Sequence, residues 1–167
     1  RRLSDIEFNC INNTDSRMFT SVYTLPVSMT INGNLNMAQA NPLFPNWVGG
    51  RLILGDFDLT VTGGLTNTDS LHFIVTTGTG KLRIANNNPI KNFPIGSALG
   101  HPAFLTVNNT GTPDNFSANV HDSVSGNNSS RQQTGNVNLT WNIGEDAPGG
   151  SDATVVLNWK GIDELPG

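Results

Sequence analysis

Residues 137–160 read VNLTWNIGEDAPGGSDATVVLNWK, two alternating runs around a loop rich in Gly, Pro and acid. In the first run Val137, Leu139, Trp141 and Ile143 alternate with Asn138, Thr140 and Asn142. In the second, Ala153, Val155, Leu157 and Trp159 alternate with Thr154, Val156, Asn158 and Lys160. Period two is the signature of a strand with one face on a core, because successive side chains leave the backbone on opposite sides. Each tryptophan shares its phase with apolar neighbours. The pattern therefore predicts two paired strands joined by residues 144–152, with both indoles in the core.

The same alternation recurs along the chain, at roughly 4–11, 26–37, 51–62, 70–76, 80–85, 103–108 and 115–121, bounded by Gly, Asn, Pro or Asp. No stretch carries a 3.6-residue period; the nearest to a helix, SALGHPA (97–103), is broken by Gly100 and Pro102. The expected fold class is all-β, an antiparallel β-sandwich of Ig-like or jelly-roll-like kind, formed by one domain over residues 1–167. A soft sub-boundary is expected near 86–102, where NNNPIKNFPIGSALGHP interrupts the strands. One internal echo adds a second expectation: TINGNLN (30–36) matches TVTGGLT (60–66) at an offset of 30. Two copies do not establish a repeat architecture, but they suggest a short solenoid-like N-terminal part over the first ~65 residues.

At 167 residues the chain is long enough for a substantial core. Its net charge of −4 and 13% charged residues leave no basic footprint for nucleic acid. Its 23 Asn and 18 Gly describe an uncharged, turn-rich surface. Cys10 is the only cysteine, so an intrachain disulfide and a thiolate metal cluster are excluded; its phase with Ile6 and Phe8 predicts a buried small hydrophobe. No apolar run reaches the ~20 residues of a membrane-spanning helix, and no signal-peptide pattern opens the chain. An opening Arg-Arg and an ending DELPG suggest an excised or mature piece of something longer.

Catalytic motifs are absent: no H-E-x-x-H, G-x-S-x-G or P-loop occurs, so an enzyme is not expected. His72, His101 and His121 are isolated in sequence, and His72 and His121 fall on the polar phase of their strands. Asp56 and Asp58 alternate with Phe57 and Leu59, which would put two carboxylates roughly 6–7 Å apart on one strand face. That pair is the candidate metal site, for Ca²⁺, though two solvated carboxylates explain it as well; no other cofactor is expected. Glu145, Asp146 and Asp152 form a weaker Ca²⁺ loop without EF-hand spacing. Trp47 lies in NPLFPNWVGG, where prolines and a double Gly deny it a strand phase. Loop aromatics stack on sugar faces and Asn amides bond sugar hydroxyls, so Trp47, Phe44 and Asn46 are the candidate ligand contacts, with a polysaccharide as partner.

From about Gly50 to Leu165 the chain resembles a β-rich module of large secreted, cell-surface proteins of Bacteroidota associated with type IX secretion. The resemblance rests on GGRLILGDFDLTVTGG, VTTGTGKL, NFPIG, LTVNNTGTPDNFSANVHD and TWNIGEDAPGGSDATVVLNW, in that order. It implies an extracellular or cell-surface module that is structural, adhesive or binding in role, with neighbouring modules or subunits of the same protein as partners. It also implies O-glycosylation at Asp-Ser followed by an apolar residue, which here designates Ser70 (DSL) and Ser123 (DSV). Two further readings stay open: a carbohydrate-binding module using Trp47, and a filament subunit that donates a terminal strand such as residues 3–11.

Overall fold

The computed structural model describes residues 2–3, 6–7, 21–37, 50–122 and 137–164. The expected all-β class holds, and the described chain forms several sheets with a single 3₁₀ turn at Gly161–Asp163. Strands stack in parallel, rung upon rung, through the first part of the chain. Rung one is β1 (Arg2–Leu3), β2 (Ile6–Glu7) and β3 (Ser21–Thr24); rung two is β4 (Met29–Ile31), β5 (Leu35–Asn36) and β6 (Gly50–Ile53). Rung three is β7 (Leu59–Val61), β8 (Leu65–Thr66) and β9 (Phe73–Val75); rung four holds β10 (Leu82–Ile84) and β12 (Ile95–Ala98). The parallel ladders are β1-β4-β7-β10, β2-β5-β8 and β3-β6-β9-β12.

The echo seen in sequence is this register. Thr30 pairs with Thr60, Ile31 with Val61, Leu35 with Leu65 and Asn36 with Thr66. Like residues recur because each must fill the same place in a column: Ile31, Val61 and Ile84 stack in one, and Leu52, Ile74 and Ile95 in another, all buried. The stacking continues past residue 65 to Ala98, further than the echo indicated, because the third step shortens: Leu59 pairs with Leu82. Within the stretch 3–11, a possible donated strand, the described Leu3 and Ile6–Glu7 pair inside the chain, on β4 and β5, and residues 8–11 lie outside the described residues.

Corners between rungs are held by side chains that bond the neighbouring turn's backbone. Asn34 Oδ1 accepts from Gly64 N–H at 2.7 Å, Asn86 Nδ2 donates to Gly63 O at 2.8 Å, and Ser28 Oγ accepts from Asp58 N–H at 3.0 Å. Short Asn, Asp and Ser side chains suit this task. Gly63 N–H donates to Gly33 O at 2.9 Å, and a Cβ on Gly63 would lie 2.4 Å from that same oxygen, so the corner requires glycine.

Beyond the fourth rung the pairing turns antiparallel. β11 (Ile90–Phe93), β14 (Leu105–Asn109) and β17 (Ala153–Leu157) form one sheet; β15 (Phe116–His121) and β16 (Thr140–Glu145) extend the ladder that ends at β10; β13 (His101–Pro102) pairs with β12. Residues 97–103, the nearest approach to a helix in sequence, are this β12–β13 hairpin. The inner faces of β14 and β15 share one core with the rungs: Leu105, Val107, Phe116, Ala118 and Val120 join Ile31, Leu59 and Leu82. Thr76, fully buried, ties the layers together. Its hydroxyl donates to Val120 O at 3.0 Å and accepts from Val120 N–H at 2.9 Å.

The tryptophans divide. β16 pairs with β15 and β17 with β14, so the two runs are not partners and residues 146–152 cross between sheets. Trp141 packs half-buried on the core and its Nε1 donates to Ala103 O at 3.0 Å. Trp159 follows the end of β17, 44% exposed, with its Nε1 donating to Glu164 Oε1 at 3.0 Å. Period two identifies a strand's faces but not whether anything covers them, and nothing among the described residues pairs with the outer edge of β17.

Candidate functional site

Asp56 and Asp58 lie in the corner between β6 and β7, where Gly55 at φ +59° turns the chain, rather than within one strand. Asp56 Oδ1 accepts from the Thr79 N–H at 3.0 Å and hydroxyl at 3.2 Å; Asp58 Oδ1 accepts from Lys81 N–H at 2.8 Å. Gly80, whose Cβ would meet Phe57 O at 2.2 Å, lets the two corners approach. The carboxylates are therefore staples between rungs three and four. Among the described residues no third ligating side chain gathers with them.

Trp47, Phe44, Asn46, Cys10 and Ser123 lie outside the described residues. Ser70 is exposed in a turn closed by an antiparallel bridge between Asp69 and His72. Asp69 Oδ1 accepts from the Leu71 N–H at 2.7 Å and the His72 N–H at 3.0 Å, and meets His72 Nδ1 at 2.8 Å. Partial burial alone would raise that carboxyl, but these bonds outweigh it and hold it below the usual carboxylate range. The acids of the 144–152 loop are likewise engaged: Asp146 is ion-paired with Arg83, Asp152 Oδ2 accepts from the Thr110 hydroxyl at 3.2 Å, and Glu145 Oε1 accepts from Gly149 N–H at 3.0 Å.

Two features escape sequence reasoning. The first is a cleft of about 480 Å³ whose lining includes Asn86, Asn87, Asn88, Lys91, Asn108 and Asp114. Lys91 is buried on β11, and its Nζ donates to Asn86 O and Asn88 O, each at 2.8 Å. Burial pushes its ammonium below the ordinary lysine range, against the opposing pull of Asp114. Its donors are directed at backbone carbonyls, so Lys91 anchors the Asn86–Asn88 turn, and the cleft presents amides rather than a reactive amine. Among the described residues that line it none is aromatic, and a ligand there would be held by hydrogen bonds. In sequence, NNNPIKN reads only as part of the soft sub-boundary near 86–102.

The second feature is the end of the stack. β16 and β17 are each the last strand of a sheet. Ile143 lies opposite Ala118, Val155 opposite Val107 and Leu157 opposite Leu105. Cross-strand partners share a face, so these side chains continue the core face. Yet Ile143, Val155 and Leu157 are 36–40% exposed while their partners are buried. Trp141 and Trp159, with ring centroids 6.4 Å apart, span the two edges. Val156, on the other face of β17, is also exposed. The run ATVVL has no charge, proline or bulge of the kind that usually blunts an edge strand.

No family model, curated protein or solved structure matches the chain.

Proposed function

We propose that the chain is a non-enzymatic structural or adhesive module of a secreted or cell-surface protein, joined to neighbouring modules or subunits of the same protein through the open end of its stack. One observation carries the reading: Val155 and Leu157 on the core-facing side of β17, and Ile143 on that of β16, are apolar and uncovered. An apolar edge with unpaired backbone N–H and C=O groups is the surface that strand addition uses, with main-chain bonds giving affinity and side chains giving fit. At the opposite end β3 is also the last strand of its sheet among the described residues, with Val22 exposed, which suits end-to-end assembly. Sedimentation velocity tests this. The parent should self-associate as concentration rises, and Val156→Lys, which places a charge on the edge strand, should hold it monomeric. A parent that stays monomeric at millimolar concentration and binds no hydrophobic dye would remove the reading.

A second reading, a carbohydrate-binding module, is favoured by the Asn-lined cleft. Affinity electrophoresis across a polysaccharide panel tests it: retardation relieved by Asn87→Ala and Asn108→Ala supports binding there, and no retardation by any polysaccharide refutes it.

A further inference from the structure

Three residues from distant parts of the chain converge near the last turn: His101 on β13, Asp122 just past β15, and Asp163 in the 3₁₀ turn. One ligand atom from each lies within 4.8 Å of the other two. Asp163 is buried, and its two oxygens have separate tasks. Oδ2 accepts from Lys160 N–H at 3.2 Å, while Oδ1 meets His101 Nδ1 at 2.6 Å. The first bond fixes the carboxylate so that Oδ1 points at the imidazole, as a supporting hydrogen bond orients a metal ligand. Among the described residues no Lys or Arg forms an ion pair with Asp163. Lys160 N–H and His101 satisfy the two oxygens of the buried Asp163, but a second carboxylate within 5 Å adds like-charge repulsion that neither relieves.

We propose that His101, Asp122 and Asp163 form a binding site for a divalent transition-metal ion of the zinc class. A divalent cation relieves the repulsion between Asp163 and Asp122. The imidazole selects the class, since Ca²⁺ and Mg²⁺ favour all-oxygen sets, whereas Zn²⁺ accepts mixed nitrogen and oxygen ligands. Tetrahedral ligands at ~2.0–2.2 Å from Zn²⁺ stand ~3.3–3.6 Å apart, so the ion would part His101 Nδ1 from Asp163 Oδ1, which now touch at 2.6 Å, and draw the exposed Asp122 inward. Three protein ligands leave a fourth position for water. The bound ion would fasten the 3₁₀ turn to the β12–β13 hairpin and to the end of β15.

The test uses the full chain carrying Cys10→Ser, which removes the only thiol as a competing ligand. Zn²⁺ is titrated against a chromophoric chelator, and Co²⁺ is used for its ligand-field spectrum. The proposal expects one Zn²⁺ per chain and a Co²⁺ spectrum of low coordination number. Affinity should fall more than ~10-fold in both His101→Ala and Asp122→Asn, and should be unchanged in His72→Ala. Zn²⁺ at ~100 times its Kd should raise the melting temperature by roughly 5–10 °C in the parent, and not in Asp122→Asn. Asp122 is exposed, so its variant should fold as judged by circular dichroism, whatever becomes of Asp163→Asn. Absence of Zn²⁺ binding, or equal affinity in parent and Asp122→Asn, overturns the proposal. A thermal shift produced by Ca²⁺ and lost in Asp122→Asn overturns the metal class.

Discussion

Thr76→Val exchanges a hydroxyl for a methyl of nearly the same size at a fully buried position. The Thr76 hydroxyl acts for Val120 as a neighbouring strand would, giving its carbonyl a donor at 3.0 Å and its N–H an acceptor at 2.9 Å. It is needed because the pairing of β10 with β15 reaches only as far as Leu82 opposite Ala118, leaving Val120 past the end of the ladder on that side. Valine removes both bonds and leaves a buried N–H and a buried C=O unsatisfied, at about 1–3 kcal/mol each. The expected loss is ~2–6 kcal/mol, a large share of the ~5–15 kcal/mol of a typical domain. Thr76→Ser keeps the hydroxyl and removes one methyl, so it should cost only ~0.5–1.5 kcal/mol. Urea melts of the three proteins decide the matter by order: parent, then serine, then valine, at unchanged m-value. If valine is as stable as the parent, or more stable than serine, the hydroxyl is not what joins these layers.

Trp141→Ala should cost ~3–4 kcal/mol and Trp159→Ala ~1 kcal/mol or less, measured by the same melts, because one ring rests on the core and the other is 44% exposed. Gly63→Ala should cost ~1–3 kcal/mol in a chemical denaturation series, since its new methyl would meet a backbone oxygen of the rung before it. Bonds from Arg83, then from Asn115, hold the Asp146 carboxyl below its ordinary range. A folded pKa below the unfolded one stabilises above the unfolded value, ~3.9, and the gain is lost as pH falls through the folded value. Both side chains are about one-third exposed (32% and 34%), so screening limits the effect to ~1 kcal/mol or less. Asp146→Asn should therefore melt slightly below the parent near pH ~7, with the gap closing below pH ~4 in thermal melts.

The β character was legible because alternation is local: each run carries its own evidence, as in Leu105–Asn109 and Phe116–His121. Parallel stacking was legible only where two rungs are equally long. Leu59 and Val61 sit above Leu82 and Ile84 at an offset of 23, and no simple self-alignment at 30 finds them. Corners inside the runs 26–37 and 51–62 were missed, since a corner that keeps apolar residues inside preserves alternation across it. The candidate sites fared differently for a reason of distance. Asp56 and Asp58 stood out as neighbours, but their partners, Thr79 and Lys81, belong to the next turn. His101, Asp122 and Asp163 form no motif because the stack, not the sequence, brings them together.

The unequal rungs have a use. Between β2 and β3, and again between β5 and β6, the chain spends 13 residues (8–20 and 37–49), whereas between β8 and β9 it spends six (67–72). Register on either side is the same in kind, Ser21 over Gly50 and then Arg51 over Phe73. Strands of one column are thus separated by 13 residues in two rungs and by six in the next, with the same register. The Asn67–His72 turn is accordingly a graft point: a foreign peptide of about seven residues inserted there would match the length carried one turn earlier, and would be displayed at the side of the stack rather than at the end where neighbours would join.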